Sequence, residues 1–130
     1  MSSIQVADQT FIAAPGSAVG EVLADRSRWR GWWPDLQLQV REDRGDKGIR
    51  WTITGGLDGT MEAWLEPMLD GVILHYFLHA EPRGGIDGLS GRDLLAANRE
   101  RRVAGKKMSF EIKARLEAGR KAGVAPAHAQ

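Results

Sequence analysis

The chain is expected to fold as an α+β domain: a curved antiparallel sheet of about five strands, two short helices after the first strand, and one long helix at the end. Three observations predict this. Apolar and polar residues alternate from Ile49 to Ala80, the two-residue period of a half-buried strand. The pairs Gly55-Gly56 and Asp70-Gly71 interrupt that alternation and make antiparallel hairpins the economical connection. From about Ser90 onward the period becomes that of a helix, which is expected to reach about Gly119.

The elements follow in order. Residues 4–13 read as a first strand ending at Ala13-Ala14-Pro15. Pro15 suits the opening of a helix, because its missing N–H leaves nothing unpaired in the first turn. Over Ser17 to Ala24 one helical face carries Val19, Val22 and Leu23. Asp25 is placed to cap a second short helix bearing Trp29, Trp32 and Trp33, which Pro34 stops. Three of five tryptophans in so short a stretch suit a plug where the short helices meet the end of the sheet.

Leu36, Leu38 and Val40 alternate with Gln37, Gln39 and Arg41, giving a strand with one wet side before the charged turn from Glu42 to Lys47. Strands then run through Ile49 to Thr54, Leu57 to Glu66 and Val72 to Ala80. Glu81 to Gly88, with one Pro and three Gly, forms the loop to the last helix, whose N-cap is Ser90 or Asp87. On a helical wheel Ala104, Met108, Ile112 and Leu116 form one stripe, in line with Leu94. Val103, Phe110, Ala114 and Ala118 form a second, nearly opposite stripe. One stripe can lie on the sheet, and the other then needs a partner. Gly105 could let the helix bend around a curved sheet. The domain is expected to span residues 4–119, with residues 120–130 a disordered tail that has little to bury.

At 130 residues the chain supports one domain. No apolar run approaches the ~20 residues of a membrane-spanning helix. Cysteine is absent, which excludes disulfides, thiol nucleophiles and thiolate metal sites. The N-terminus lacks the pattern of a secretory signal, so a cytoplasmic address is expected. The net charge of +1 hides an asymmetry: 10 of 18 basic but 4 of 17 acidic side chains follow residue 91. Only Phe110 could stack on bases along that basic helix, so a solvated face balanced by an acidic sheet is expected rather than a nucleic-acid surface.

Catalytic patterns are weak. His75 and His79 lie four residues apart on one strand, about 13 Å between Cα atoms, too far to chelate one ion. Alternation sets both opposite Val72, Leu74, Tyr76 and Leu78, on the outer face. Trp64, Ile73 and Phe77 share that outer face, so self-association through it, or through the second helix stripe, is a separate hypothesis. Arg50 and Glu62 are expected to pair across neighbouring strands as a surface ion pair. Gly84-Gly85 and Gly88 lack a phosphate-cradling context and read as turn glycines.

One run of residues resembles a known family. Thr10-Phe11-Ile12-Ala13-Ala14-Pro15-Gly16-Ser17-Ala18-Val19, then Val22-Leu23-Ala24-Asp25, then Trp29 and Trp32-Trp33-Pro34-Asp35-Leu36, is similar to the opening of the polyketide cyclase/dehydratase and lipid-transport superfamily, the START-related proteins of helix-grip fold. Leu57-Asp58-Gly59-Thr60 resembles the start of a later strand in that family. The resemblance covers about residues 4–118. It implies a seven-stranded sheet, whereas this sequence offers five strands, and it implies an apolar cavity between the sheet and the long helix.

The expected function is therefore binding or carriage of a small hydrophobic molecule, lipid-like or polyketide-like, between sheet and terminal helix. The expected lining is Phe11, Trp51, Ile53, Met61, Leu65, Tyr76, Leu78, Met108 and Ile112, with Tyr76 supplying one oriented hydroxyl. The same wall suits a dry core equally well. Two alternatives stand beside it: an enzyme of the cyclase/dehydratase kind, which the resemblance implies, and a non-enzymatic dimeric interaction protein with a filled core. No cofactor, metal, nucleic acid or stable membrane insertion is expected.

Overall fold

The computed structural model of the protein describes residues 2–118. The expected tail at residues 120–130, with His128, lies outside the described residues. Strand β1 (Ile4–Ile12) leads into helices α1 (Gly16–Ala24) and α2 (Arg26–Trp32). Strand β2 (Leu36–Asp43), a 3-10 turn at Gly45–Lys47, and strands β3 (Gly48–Gly55), β4 (Leu57–Met68) and β5 (Gly71–Pro82) follow, and helix α3 (Gly91–Leu116) comes last. The strands form one five-stranded sheet in the order β1-β5-β4-β3-β2, with every neighbouring pair antiparallel. The strand count and the two short helices are those expected.

Local chemistry accounts for the boundaries. The Asp25 carboxylate accepts from the Ser27 N–H and caps α2. Ser90 and Asp93 form a reciprocal capping box at the start of α3, which selects Ser90 over Asp87. With 26 residues, α3 is about 39 Å long at ~1.5 Å per residue. The turn between β4 and β5 places Leu69, 92% exposed, at φ +53. Alternation along β3, β4 and β5 sends Trp51, Ile53, Met61, Ala63, Leu65, Leu74, Tyr76 and Leu78 inward, where all are buried.

The wheel of α3 divides as expected. Met108, Ile112 and Leu116 are buried, while Val103 and Phe110 of the second stripe are about half exposed. What the wheel does not show is where the helix sits. It lies chiefly along the edge strand β1 and uses its polar side chains to occupy that strand's open edge. Asn98 accepts from the Gln5 N–H and donates to the Ser3 carbonyl, Lys106 Nζ donates to the Gln9 carbonyl, and Lys113 Nζ donates to the Phe11 carbonyl. Glu117 accepts from the Ala13 N–H at 2.7 Å. An open strand edge is a template for unwanted pairing, and a covering helix removes it. Part of the basic surplus on α3 thus serves the edge of β1.

One expectation is corrected, and one position gains a second role. Phe11 does not face the interior: it pairs in register with Ile73 on the outer face, because Thr10 and Ile12 take the inward positions of β1. The Lys113 Nζ lies 5.6 Å from its ring centroid. Gly105 is a point of contact, with the Tyr76 ring packed directly against it: an added Cβ would lie 2.6 Å from Tyr76 Cε2 and 2.8 Å from Cδ2.

Candidate functional site

The space between the sheet and α3 is closed by aromatic rings. Trp33, at the end of α2, stacks on Tyr76 of β5 with centroids 6.1 Å apart and planes 18° apart. It meets Trp51 of β3 edge-on at 5.5 Å, and Trp51 meets Trp29 edge-on at 5.8 Å. Eight of the nine expected lining residues, all but Phe11, belong to this one buried cluster. The interior is thus filled by side chains. The described surface depressions, of about 710, 480 and 260 Å³, include none of Ile53, Leu65, Tyr76, Leu78, Met108 or Ile112 in their linings.

The interior is apolar but carries donors. Trp29 donates its indole N–H to the Leu23 carbonyl at 2.8 Å, and Trp32 donates to the Glu111 carboxylate. By contrast, Trp51 Nε1 and Ser109 Oγ are buried with no hydrogen-bond partner among the described residues, and Trp33 Nε1, also buried, makes no hydrogen bond of good geometry although it interacts with the Tyr76 hydroxyl. The Tyr76 hydroxyl has only the Met61 thioether sulfur, at 3.0 Å, as acceptor, and thioether sulfur accepts weakly. Burial pushes the Tyr76 hydroxyl well above the usual phenol range, against opposing influences from the Trp33 indole and the Arg101 guanidinium. It therefore stays protonated. A buried donor without an acceptor typically costs about 1–3 kcal/mol, so this group invites an acceptor atom.

Trp33 and Ser109 were not among the expected site residues. Ser109 stands one helical turn beyond Gly105, on the face that meets Tyr76, and its polarity kept it off the apolar stripe. Trp33 was expected as part of the tryptophan plug, which is where it sits.

The first turns of α3 are held differently from the rest. No residue from Gly91 to Ala104 is fully buried, whereas Gly105, Met108, Ser109, Ile112 and Leu116 are. The ties there are the Asn98 bonds to β1, the partly buried Leu94 and Ala97, and the two-pronged pair between Arg101 and Asp35, at 2.9 and 2.5 Å. The Arg101 hydrogen bond holds the Asp35 carboxyl below its ordinary range. A carboxyl with a depressed folded pKa stabilises the fold above its unfolded value and loses that contribution as pH falls through the folded value. Asp93, held low by its bonds to Ser90, acts in the same direction on the same turns. Below a pH of about 4, hydrogen exchange is expected to accelerate in Gly91–Ala104 before it does in the C-terminal half of α3. Asp35→Asn should weaken that pH dependence.

The expected outer face is as read. His79 is exposed, and His75 is sandwiched between Trp64, at 4.5 Å, and Phe77, at 6.3 Å, with its Nε2 2.9 Å from Glu66. Arg50 and Glu62 pair at 3.2 Å, joined by Arg44. Among the described residues no cluster of three metal-ligating side chains occurs, and no helix is long and apolar enough to cross a membrane.

No family model matches the chain, and no curated protein matches it. Solved structures do. The Aha1 dimer from Colwellia psychrerythraea is similar at TM-score 0.60 and 14% identity, over 91% of this chain and 99% of that one. The Polyketide_cyc-like protein Cgl2372 from Corynebacterium glutamicum is similar at TM-score 0.57 and 19% identity, over 90% and 93%. CalU16 from Micromonospora echinospora is similar at TM-score 0.58 and 14% identity, over 86% and 78%.

Proposed function

The chain has the helix-grip fold of polyketide cyclase-like proteins, carried on a five-stranded sheet, and on that premise we propose that it binds a small hydrophobic molecule bearing an acceptor oxygen, such as a ketone, between the sheet and α3. One observation carries this reading: the unpartnered indole N–H of Trp51 and the poorly satisfied Trp33 N–H and Tyr76 hydroxyl, inside an otherwise apolar core that a ligand would have to open. Trp51, Ile53, Met61, Leu65, Leu78, Met108 and Ile112 supply the apolar wall. Burial of the ligand's apolar surface provides the affinity, at about 25 cal/mol per Å². A carbonyl oxygen facing the donors provides orientation. The likeness to a Polyketide_cyc-like protein fits a ligand with keto oxygens.

Because the interior is closed, entry requires movement, and the first turns of α3 are the lightly packed part. Catalysis of the cyclase kind would use Tyr76 as proton donor and would need a base beside it. His75 and His79 both lie on the outer face and supply none.

The test compares 2-acetylnaphthalene with 2-ethylnaphthalene, near-isosteres with and without the carbonyl oxygen. The ketone is expected to bind about tenfold tighter by tryptophan fluorescence titration, since one satisfied buried donor contributes about 1.4 kcal/mol. Trp33→Phe with Trp51→Phe should reduce the difference, and adding Tyr76→Phe should erase it. Equal affinity of the two compounds for the unaltered protein would remove the orienting role of the donors.

A further inference from the structure

We propose that the outer side of α3 carries a second, separate binding site: a cleft between α2 and α3 that takes an amphipathic anion, an alkyl chain ending in a carboxylate. The cleft measures about 710 Å³, within the range of small-molecule sites. Its apolar wall is made by Trp32, Leu95 and Val103. Leu95 is 74% and Val103 49% exposed, and the two face the same cleft as Trp32, a grouping of apolar groups that marks a binding surface where a lone one would not. Trp32 is held in place by its bond to Glu111 and by edge contact with Trp33 at 5.5 Å.

The charge beside that wall decides the ligand class. Arg92, Arg99 and Lys107 line the cleft, with Glu100 the lone carboxylate in its lining. None of these three cations has an ion-pair partner among the described residues. Of the other five cations of α3, three are committed, Arg101 to Asp35, Lys106 to Asp8 and Lys113 to Glu117, while Arg102 and Arg115 form no ion pair among the described residues but do not line the cleft. Free cations at the margin of an apolar trough complement a headgroup of one negative charge, and their alkyl stems extend the apolar wall. This site lies on the far side of α3 from the Trp33, Trp51 and Tyr76 donors, so it stands or falls independently of them.

The experiment is calorimetric titration of the full chain with laurate, below its micelle concentration, and with 1-dodecanol. Laurate is expected to bind at one molecule per chain, at least tenfold tighter than dodecanol. Val103→Asp should abolish laurate binding. Arg99→Glu combined with Lys107→Glu should lower laurate affinity at least tenfold and leave dodecanol unchanged, while Trp51→Phe, at a ring whose aromatic neighbours Trp29 and Trp33 do not line the cleft, should leave laurate unchanged. All the altered cleft residues are exposed, and an unchanged thermal midpoint verifies the fold. Equal affinity for the two compounds, laurate binding that survives Val103→Asp, or its loss in Trp51→Phe would overturn the proposal. So would sedimentation of a dimer that Val103→Asp dissolves, since a second copy would then cover the cleft.

Discussion

Replacing Trp51 by alanine is expected to destabilise the fold by about 3–5 kcal/mol, the usual cost of deleting a fully buried large aromatic side chain. Trp51 has no exposed surface and touches both Trp29 and Trp33 edge-on. Its loss would remove the centre of the aromatic cluster and leave a cavity that rigid β3 and β4 cannot collapse into. Trp51→Phe provides the informative contrast. Because the indole N–H of Trp51 has no partner, phenylalanine forfeits volume but no hydrogen bond, and its cost should be less than half that of alanine. Urea unfolding of the three proteins at a common slope measures both. A phenylalanine cost equal to that of alanine would mean that the N–H is hydrogen-bonded in solution without ligand.

Gly105→Val is expected to destabilise by about 3 kcal/mol, at the upper end for overpacking a dense interior. The first carbon added at Gly105 would sit under 3 Å from two atoms of the Tyr76 ring. That ring also stacks with Trp33, at 6.1 Å between centroids, within the buried cluster. The two routes of relief are lifting α3 off the sheet or displacing Tyr76 from Met61, and valine's branching adds strain in a helix. Gly105→Ala should cost less, because alanine gains about 1 kcal/mol of helix propensity over glycine. Circular dichroism melts would rank the series. A stabilised Gly105→Ala would show that α3 moves away from Tyr76 readily.

Both expectations depend on features that the sequence shows unequally. Alternation located the strands because each has one dry side, and the spacing of Met108, Ile112 and Leu116 located the packed half of α3. Parity could have placed Phe11 too: Ile4, Val6 and Ile12 share the inward positions of β1, which leaves odd positions facing out. Periodicity says nothing of which strand a helix lies against. The seat of α3 along β1 comes from Asn98, Lys106 and Lys113 meeting backbone groups on an open edge. Gly105 illustrates the same gap, since a helical glycine can mark a bend or a close approach, and only the ring of Tyr76 reveals the close approach. Whether the inward wall was core or pocket was equally balanced in the sequence. The tryptophan cluster fills it, and the polar remainder falls on Trp33, Trp51, Ser109 and Tyr76.

The most direct test of the interior site is the indole region of a proton–nitrogen correlation spectrum, recorded before and after adding 2-acetylnaphthalene. The five tryptophans give separate probes: Trp29 and Trp32 are already hydrogen-bonded, Trp64 lies on the outer face, and Trp33 and Trp51 are buried without a hydrogen bond of good geometry. Assignment follows from single Trp→Phe variants. The Trp33 or Trp51 indole proton, or both, should move downfield on binding, with Trp64 unmoved. Saturation with ketone that leaves both resonances in place would contradict the interior site.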